Sequence, residues 1–236
     1  MNSSTASPLI ELREVVKVYN SLAGSVTALN CIDLKIMQGE FLVVTGKSGS
    51  GKTTLVNMLT GLDRSTSGEI WVDGAPLHTF GPEKAAKLRA RTMGVVFQSF
   101  ELLPTLTVLQ NIMLPMDFAR RYSVWEQRKR ALNLLEQVDI AGHAKKLPTA
   151  LSGGQQQRLA IARAMANDPE ILVADEPTGS LDSATATAVI DIFEGLVQQG
   201  RTVFMVTHDK DIARRGSRTI TLSDGEIVEA KENSHA

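Results

Sequence analysis

The residues best suited to chemistry form a loop, Gly46-Lys47-Ser48-Gly49-Ser50-Gly51-Lys52-Thr53. The loop fits the phosphate-binding pattern G-x-x-x-x-G-K-[ST], and it lies between a strand-like run and a helical pattern, as that pattern requires. Its glycines let backbone N–H groups converge on phosphate oxygens, and the helix start adds partial positive charge. Lys52 can then bridge the β- and γ-phosphates, and the Thr53 hydroxyl can ligate Mg²⁺. A glycine-rich linker, the alternative, does not explain the Lys-Thr pair.

Two carboxylates follow the apolar run Ile171–Ala174, which has the length of a buried strand. At the carboxyl edge of a parallel sheet, Asp175 and Glu176 would lie beside the phosphate-binding loop. Asp175 suits Mg²⁺ and its waters, whereas Glu176 can polarise the water that attacks the γ-phosphate. An isolated Asp-Glu pair after a strand is often only a turn, so this assignment depends on the loop.

A second candidate anion site lies at Leu151-Ser152-Gly153-Gly154-Gln155. Ser152 and Gln155 have the spacing of a helix capping box. Two glycines in a first helical turn each cost up to about 1 kcal/mol relative to alanine, so a cap alone does not explain them. Exposed N–H groups beside a hydroxyl at a helix start bind anions. The chain therefore carries two phosphate-binding devices that are far apart in sequence.

Short β-rich runs and helical patterns must position these residues. Strands are predicted at Leu9–Tyr19, Val26–Ile36, Phe41–Thr45, Gly94–Phe97, Ile171–Ala174 and Val203–Thr207. Helices are predicted at Lys52–Leu59, Val124–Val138 and Gly153–Ala166. A terminal hairpin, Arg218–Leu222 with Glu226–Val228, turns at Asp224-Gly225. Strands that alternate with helices favour a parallel sheet covered on both faces.

Composition sets further bounds on the function. The chain has 236 residues and only one cysteine, Cys31, which excludes an internal disulfide framework. A net charge of −1 gives no global reason to bind nucleic acid, and the basic segments Lys84–Arg91 and Arg120–Arg130 are typical of solvated helix faces. The opening residues lack the features of a signal peptide and are expected to be a flexible tail. No run is long enough to span a bilayer, so direct membrane insertion is not expected.

The motifs together carry a family resemblance. The loop, LSGGQ, the strand ending in Asp175-Glu176, Ser180-Leu181-Asp182 and His208 occur in the order and spacing of ABC-transporter nucleotide-binding domains, which the chain resembles from about Leu9 to Val228. Stretches such as VFQSFELLPTLTVLQNIMLPM and MVTHD look most like the subgroup that powers macrolide export, lipoprotein release, antimicrobial-peptide resistance and cell division.

The resemblance implies an α/β fold: a P-loop NTPase (RecA-like) core with a parallel sheet, an N-terminal antiparallel β subdomain and an inserted α-helical subdomain. The core is expected at 9–98 and 167–230, the insertion at about 99–166, and flexible tails at 1–8 and 231–236.

The resemblance also implies an ATPase that uses ATP and Mg²⁺. Two copies would pair head to tail, each ATP being held between the phosphate loop of one and the LSGGQ of the other. Tyr19 would stack on adenine, Gln98 would reach Mg²⁺ and the attacking water, His208 would contact the γ-phosphate, and Asp182 would communicate across the dimer.

The implied catalytic residues are Glu176, His208 and Lys52, and the implied metal ligands are Thr53, Gln98 and Asp175. The implied nucleotide-binding residues are Tyr19, Gly46, Lys47, Ser48, Gly49, Ser50, Gly51, Lys52, Thr53, Thr54, Gln98, Ser152, Gly153, Gly154, Gln155 and Asp182. Two residues depart from the subgroup: Lys47, where proline or another residue is usual, and Ser180, where asparagine is common.

By the same resemblance the partner is a transmembrane permease subunit, and the chain would lie in the cytoplasm, peripheral on the inner face of the membrane. Apolar residues in Phe100–Pro115 are predicted to dock that partner, although packing of the helical core explains them equally well. A non-transporting ATPase of the cell-division type is a close alternative. A DNA-maintenance ATPase is less favoured because the chain has no sustained heptads and no cysteine-based zinc module.

Overall fold

The computed structural model describes residues 7–21 and 24–233, which form two β-sheets flanked by helices. The strands, in chain order, are β1 (Ile10–Ser21), β2 (Gly24–Ile36), β3 (Phe41–Thr45), β4 (Ser67–Val72), β5 (Ala75–Pro76), β6 (Met93–Val96), β7 (Ile171–Asp175), β8 (Thr202–Val206), β9 (Arg218–Ser223) and β10 (Glu226–Glu232). The α-helices are α1 (Lys52–Thr60), α2 (Pro82–Thr92), α3 (Val108–Ala119), α4 (Val124–Gln137), α5 (Gly153–Ala164), α6 (Ser183–Gln198) and α7 (Lys210–Ala213).

The larger sheet has the strand order β10-β9-β3-β8-β7-β6. Every neighbouring pair from β9 to β6 is parallel, and β10 joins β9 as an antiparallel hairpin that turns at Asp224-Gly225. The smaller sheet, in the order β2-β1-β4-β5, is antiparallel throughout. These two sheets confirm the predicted parallel core and N-terminal antiparallel subdomain.

The continuous apolar run of β3 is explained by the two hydrophobic cores on either face of the larger sheet. Phe41 and Val43 pack into the core formed with α3 to α6, while Leu42 and Val44 pack into the core formed with α1 and the antiparallel sheet. Successive side chains of a strand point to opposite faces, so a sheet covered on both sides needs apolar residues at every position.

The chain between β6 and β7 forms a helical insertion, although β6 and β7 are direct neighbours in the sheet. Helices α3, α4 and α5 lie within the predicted insertion at about residues 99–166. Each of the three begins with a capping box, in which a Ser or Thr and the Glu or Gln three residues later satisfy each other's backbone N–H groups. In the ranges that the structure describes, no helix is both long and apolar enough to cross a membrane.

The carboxyl terminus requires a correction to the predicted tail at 231–236. Strand β10 continues through Glu232, because antiparallel pairing with β9 satisfies its backbone groups. The amide of Asn233 then donates to the carbonyls of Ala213 and Gly216. Residues 1–6 of the predicted N-terminal tail and residues 234–236 lie outside the described residues.

One buried amide, that of Asn111 on α3, shapes the start of the helical insertion. Asn111 is 1% exposed. Its side chain accepts from the Leu103 N–H and donates to the carbonyls of Leu103, Leu106 and Thr107. Asn111 therefore satisfies the Leu103 N–H and the Leu106 carbonyl in the turn that leads into α3.

We expect Asn111→Leu to lower the free energy of unfolding by about 1–3 kcal/mol, because the Leu103 N–H and the Leu106 carbonyl lose the hydrogen bonds that the buried amide makes to them. Gln110→Ala, which removes only half of a capping box on the exposed side of the same turn, should cost about 1 kcal/mol or less. Urea-induced unfolding measures both values. Equal costs for the two variants would contradict the role given to Asn111.

Candidate functional site

A cavity of about 740 Å³ lies at the carboxyl ends of the parallel strands. The residues that line it are Val26, Thr27, Ala28, Ser48, Gly49, Gly51, Lys52, Thr53, Thr54, Gln98, Glu176, His208, Asp224 and Gly225. Most predicted residues of the first site thus meet at one sheet edge, where open α/β sheets bind their ligands. Among the other loop residues, Gly46, Lys47 and Ser50 support the loop without lining the cavity.

The loop connects the end of β3 directly to the start of α1. Lys52, the first residue of α1, is only 7% exposed, and its Nζ donates to the carbonyls of Gly46 at 2.9 Å and Lys47 at 3.0 Å. The lysine is thereby folded over the loop, with its charge at the cavity. The first N–H groups of α1 have no partner within the helix and face the same region as the loop.

Two glycines are required by close approach of neighbouring backbone. A Cβ on Gly51, whose φ is 102°, would lie 2.4 Å from the Ala28 carbonyl oxygen, and a Cβ on Gly46 would lie 2.4 Å from the Leu222 carbonyl oxygen. The β9–β10 turn also holds the loop, because the Gly225 N–H donates to the Ser50 carbonyl at 3.1 Å. Strand β2 and this turn form a cavity wall that motif analysis did not identify.

The carboxylate of Asp175 lies against the start of α1. Its Oδ1 is 3.5 Å from the Thr53 hydroxyl, which donates to it. Burial, with a smaller contribution from the negative charge of Glu176, raises the pKa of Asp175 above its ordinary value. The protein therefore holds an oxygen-rich, partly desolvated pair next to the phosphate-binding loop.

Glu176 is oriented into the cavity by its backbone. Its φ is 46°, in the left-handed region, and its N–H donates to the Val206 carbonyl at 3.0 Å. A non-glycine residue in this conformation costs about 1–2 kcal/mol, so the neighbouring strand pairing must sustain it. The turn takes the side chain away from the strand direction and toward the loop.

Glu176 joins the predicted catalytic residues at one point. Its Oε2 lies 2.7 Å from Nδ1 of His208, and its Oε1 lies 3.8 Å from Nζ of Lys52. The carboxylate is mostly buried, whereas the imidazole is largely exposed. Glu176, His208 and Lys52, far apart in the sequence, thus form a contiguous set at the cavity.

Gln98 and Tyr19 occupy different positions relative to the cavity. Gln98, just past β6, lines the cavity beside Gly179, whose Cβ would come within 3.0 Å of the Gln98 amide nitrogen. Tyr19 does not line the cavity; it pairs across the strands with Val26, which does. Its side chain also interacts with that of Thr54, another lining residue. Tyr19 is therefore at the margin of the cavity.

The second predicted anion site lies apart from this cavity, because none of its residues lines it. Ser152 and Gln155 form the predicted capping box at the start of α5. Packing explains why residue 154 is a glycine, since a Cβ on Gly154 would lie 2.3 Å from Cγ2 of Thr185 on α6. Gly153 is exposed, and a Cβ there would lie 3.7 Å from Cδ2 of Leu181, an ordinary contact distance that does not require glycine.

Asp182, which the sequence grouped with the nucleotide-binding residues, is the N-cap of α6. Its carboxylate accepts from the Thr185 N–H at 3.0 Å and from the Thr185 hydroxyl at 2.7 Å. These bonds from Thr185 lower the pKa of Asp182. In this structure Asp182 orders the helix that packs against Gly154, and it does not line the cavity.

The parallel sheet, the glycine loop that opens α1 and the carboxylates after β7 together define a P-loop nucleoside-triphosphatase. The sequence profile of the family described as ABC transporter matches residues 29–179. The chain therefore belongs to the ABC transporter family, as an ATP-binding domain that hydrolyses ATP.

Similar proteins extend this match over nearly the whole chain. An uncharacterized ABC transporter ATP-binding protein, MJ1508 of Methanocaldococcus jannaschii, is 45% identical over 94% of this chain and 98% of its own length. The macrolide export ATP-binding/permease protein MacB of Hyphomonas neptunium is 40% identical over 97% of this chain, which spans 35% of that protein.

Among solved structures, a dimeric post-hydrolysis state of the ATP-binding cassette MJ0796 bound to ADP and Pi is similar to this chain. The TM-score is 0.90 at 41% identity, with 96% of this chain and 100% of that chain covered. The curated protein MJ0796 is from Methanocaldococcus jannaschii.

We expect Gly51→Ala to weaken ATP binding severely and to lower the midpoint of urea unfolding, because the new Cβ meets the Ala28 carbonyl oxygen. Gly49→Ala is the matched control. Its φ of 82° makes alanine unfavourable by about 1–2 kcal/mol, but no atom lies within 4 Å of the added Cβ. Calorimetric titration with ATP compares them, and equal losses would show that close approach is not the constraint.

Proposed function

We propose that the chain is the ATP-hydrolysing subunit of a complex in which a separate transmembrane permease exports or extracts a substrate such as a drug, peptide or lipoprotein. The observation that carries this proposal is the meeting of Lys52, Glu176 and His208 at the phosphate-binding loop. The names of the MacB relatives, which join an ATP-binding part and a permease, support the coupling to export.

The triphosphate would bind in the loop, where backbone N–H groups and the start of α1 favour anions. Lys52 has the reach for this role. Its Nζ already lies at the cavity on carbonyls of the loop, so a phosphate oxygen can replace one carbonyl without any large movement of the chain. Ser48, Gly49 and Gly51 would surround the phosphates from the loop side.

The residues beside the loop fit Mg²⁺, which prefers oxygen ligands. The Thr53 hydroxyl and the Asp175 carboxylate are adjacent, and a bound cation would favour the charged form of Asp175, whose pKa burial raises. Gln98 would contribute its amide oxygen from the end of β6. When bound, Mg²⁺ supplies positive charge that neutralises the phosphates and polarises the γ-phosphoryl group.

Glu176 would orient and polarise the attacking water as a general base. Its left-handed backbone fixes the carboxylate at the cavity, and the contact with His208 restricts its rotation. His208 would contact the γ-phosphate from the end of β8, while Lys52 stabilises the charge on the transferred phosphoryl oxygens. The position of these side chains at one sheet edge supports these roles.

A second copy of the chain would complete each ATP site. Ser152, Gly153 and Gln155 point to an anion site at the start of α5, yet these residues do not line the cavity of their own chain. Gly153 is exposed, and its neighbour Leu181 leaves room for a Cβ, so packing does not explain a glycine at this position. The dimeric state reported for the MJ0796 cassette supports a sandwich in which this helix start meets the phosphates of the partner copy.

The permease would dock in a groove of about 390 Å³ between the core and the helical insertion. Phe118, which is 78% exposed, lines it with Leu114 and Pro115. Arg163 braces the groove by donating to the backbone carbonyls of Phe100 and Glu101. Such docking would place the chain at the inner face of the membrane.

Not every leucine of the segment Phe100–Pro115 can contact a partner. Leu109 is buried and Leu102 packs against the same hydrophobic core, so these two leucines serve the helical insertion itself. Leu103 is exposed. The exposed apolar surface that suits a partner therefore includes Phe118, which lies beyond the segment Phe100–Pro115.

We expect Glu176→Gln to reduce ATP turnover at least about a hundredfold, because the amide cannot act as a base. The variant should still bind ATP and form an ATP-dependent dimer, seen by light scattering. Glu136→Gln, which changes an exposed carboxylate on α4, should keep full turnover. Undiminished phosphate release by Glu176→Gln would remove Glu176 from this role.

We expect Phe118→Glu to reduce retention of the chain on membrane vesicles that contain its permease, since the change puts a charge into the apolar groove. Its ATP affinity as an isolated chain should remain the same. Val228→Glu, at an exposed apolar position on β10, is the matched control and should be retained like the parent chain. Unchanged retention of Phe118→Glu would refute the docking groove.

A further inference from the structure

Tyr19, at the margin of the cavity, is held by a charged residue that follows α1. The Tyr19 hydroxyl donates to Oδ2 of Asp63 at 2.9 Å. Asp63 is itself fixed, because its N–H donates to the Asn57 carbonyl and its Oδ1 accepts from the Arg64 N–H at 2.7 Å. The phenol ring is therefore tied to a carboxylate whose own position is set by the end of the helix.

Lys17 completes the arrangement from the same strand as Tyr19. Its Nζ lies 2.8 Å from Oδ2 of Asp63, donates to the Arg64 carbonyl at 2.8 Å, and sits 4.6 Å from the centre of the Tyr19 ring. A cation at that distance from an aromatic face is attracted to it. Lys17, with a largely buried side chain, thus covers one face of the ring.

The face of the Tyr19 ring opposite Lys17 determines what the ring can recognise. Tyr19 is 41% exposed, and it pairs with Val26 of the cavity wall while its side chain interacts with Thr54 of α1. Because Lys17 occupies one face, only the other face can stack on a planar group that extends from the phosphate-binding loop. The ring can do so without searching rotamers, since its hydroxyl is already anchored.

We propose that Asp63 and Lys17 are positioning residues that hold Tyr19 as a preset platform for the base of the nucleotide. The proposal rests on the role of Tyr19 in the proposed function and adds the two residues that make the platform rigid. Helix α1 then contributes to both halves of the ligand site. Its start would face the phosphates, and Asp63, three residues after its end, fixes the ring.

The arrangement predicts that base affinity and phosphate affinity can be separated. Losing the Asp63 anchor would free the ring and the Lys17 ammonium, so that ordering them would oppose binding of the base. The phosphate-binding loop makes no contact with Asp63 among the described hydrogen bonds and ion pairs. Inorganic tripolyphosphate, which has no base, is therefore the internal probe of the loop.

The test compares the parent chain with Tyr19→Phe, Asp63→Ala and the double variant. We expect each single change to raise the KM for ATP about threefold to tenfold, the scale of one typical hydrogen bond, with kcat changed less than twofold. The KM of the double variant should be no higher than that of the single variant with the higher KM. The affinity for tripolyphosphate, measured by competition with a fluorescent nucleotide, should stay at the parent value in all three.

Asp117→Ala, at an exposed carboxylate on α3, is the matched control and should behave like the parent chain. Should Asp63→Ala fold poorly, Tyr19→Phe still removes the same hydrogen bond while leaving the ring and both charges in place. Additive effects, an unchanged KM in Tyr19→Phe, or an equal loss of tripolyphosphate binding would each overturn the proposal. An unchanged KM in Tyr19→Ala would instead refute the stacking role in the proposed function.

Discussion

The close packing of the phosphate-binding loop against two neighbouring strands is the constraint on which the rest of the structure depends. Carbonyl oxygens of Ala28 and Leu222 approach Gly51 and Gly46 so closely that a side chain fits at neither position. The loop can therefore turn sharply from β3 into α1, and the first N–H groups of α1 gather at the sheet edge. Without that turn, Lys52 and Thr53 would not meet the residues that follow β7 and β8.

The parallel sheet brings the polar residues of the site to this edge. Strands β6, β7 and β8 end on the same side as β3, and each is followed by one polar residue at or beside the cavity: Gln98, Glu176 and His208. The apolar strands that precede them are buried on both faces, so they offer a rigid base. Catalytic geometry benefits from such a base, because small displacements of reacting groups cost much of the rate.

Local sequence patterns predicted the parts of the structure that depend on neighbouring residues. The apolar runs of β3, β7 and β8, the loop motif and the capping box at Ser152 all followed from spacing within a few positions. The wall formed by Val26 and Gly225 did not, because it depends on the β9–β10 turn reaching strand β2 from the other end of the chain. The anchor between Tyr19 and Asp63 was also missed, since no motif links those two positions.

The placement of the helical insertion has a consequence for how β6 and β7 are held together. Strands β6 and β7 pair directly, although residues 97–170 separate them. Closing a long flexible segment costs chain entropy that grows with the logarithm of its length. Helices α3, α4 and α5 contact one another, and α5 also contacts β6, so ordered structure rather than flexible chain links the two strands. The insertion therefore supports the parallel pairing of β6 with β7 at the edge of the sheet.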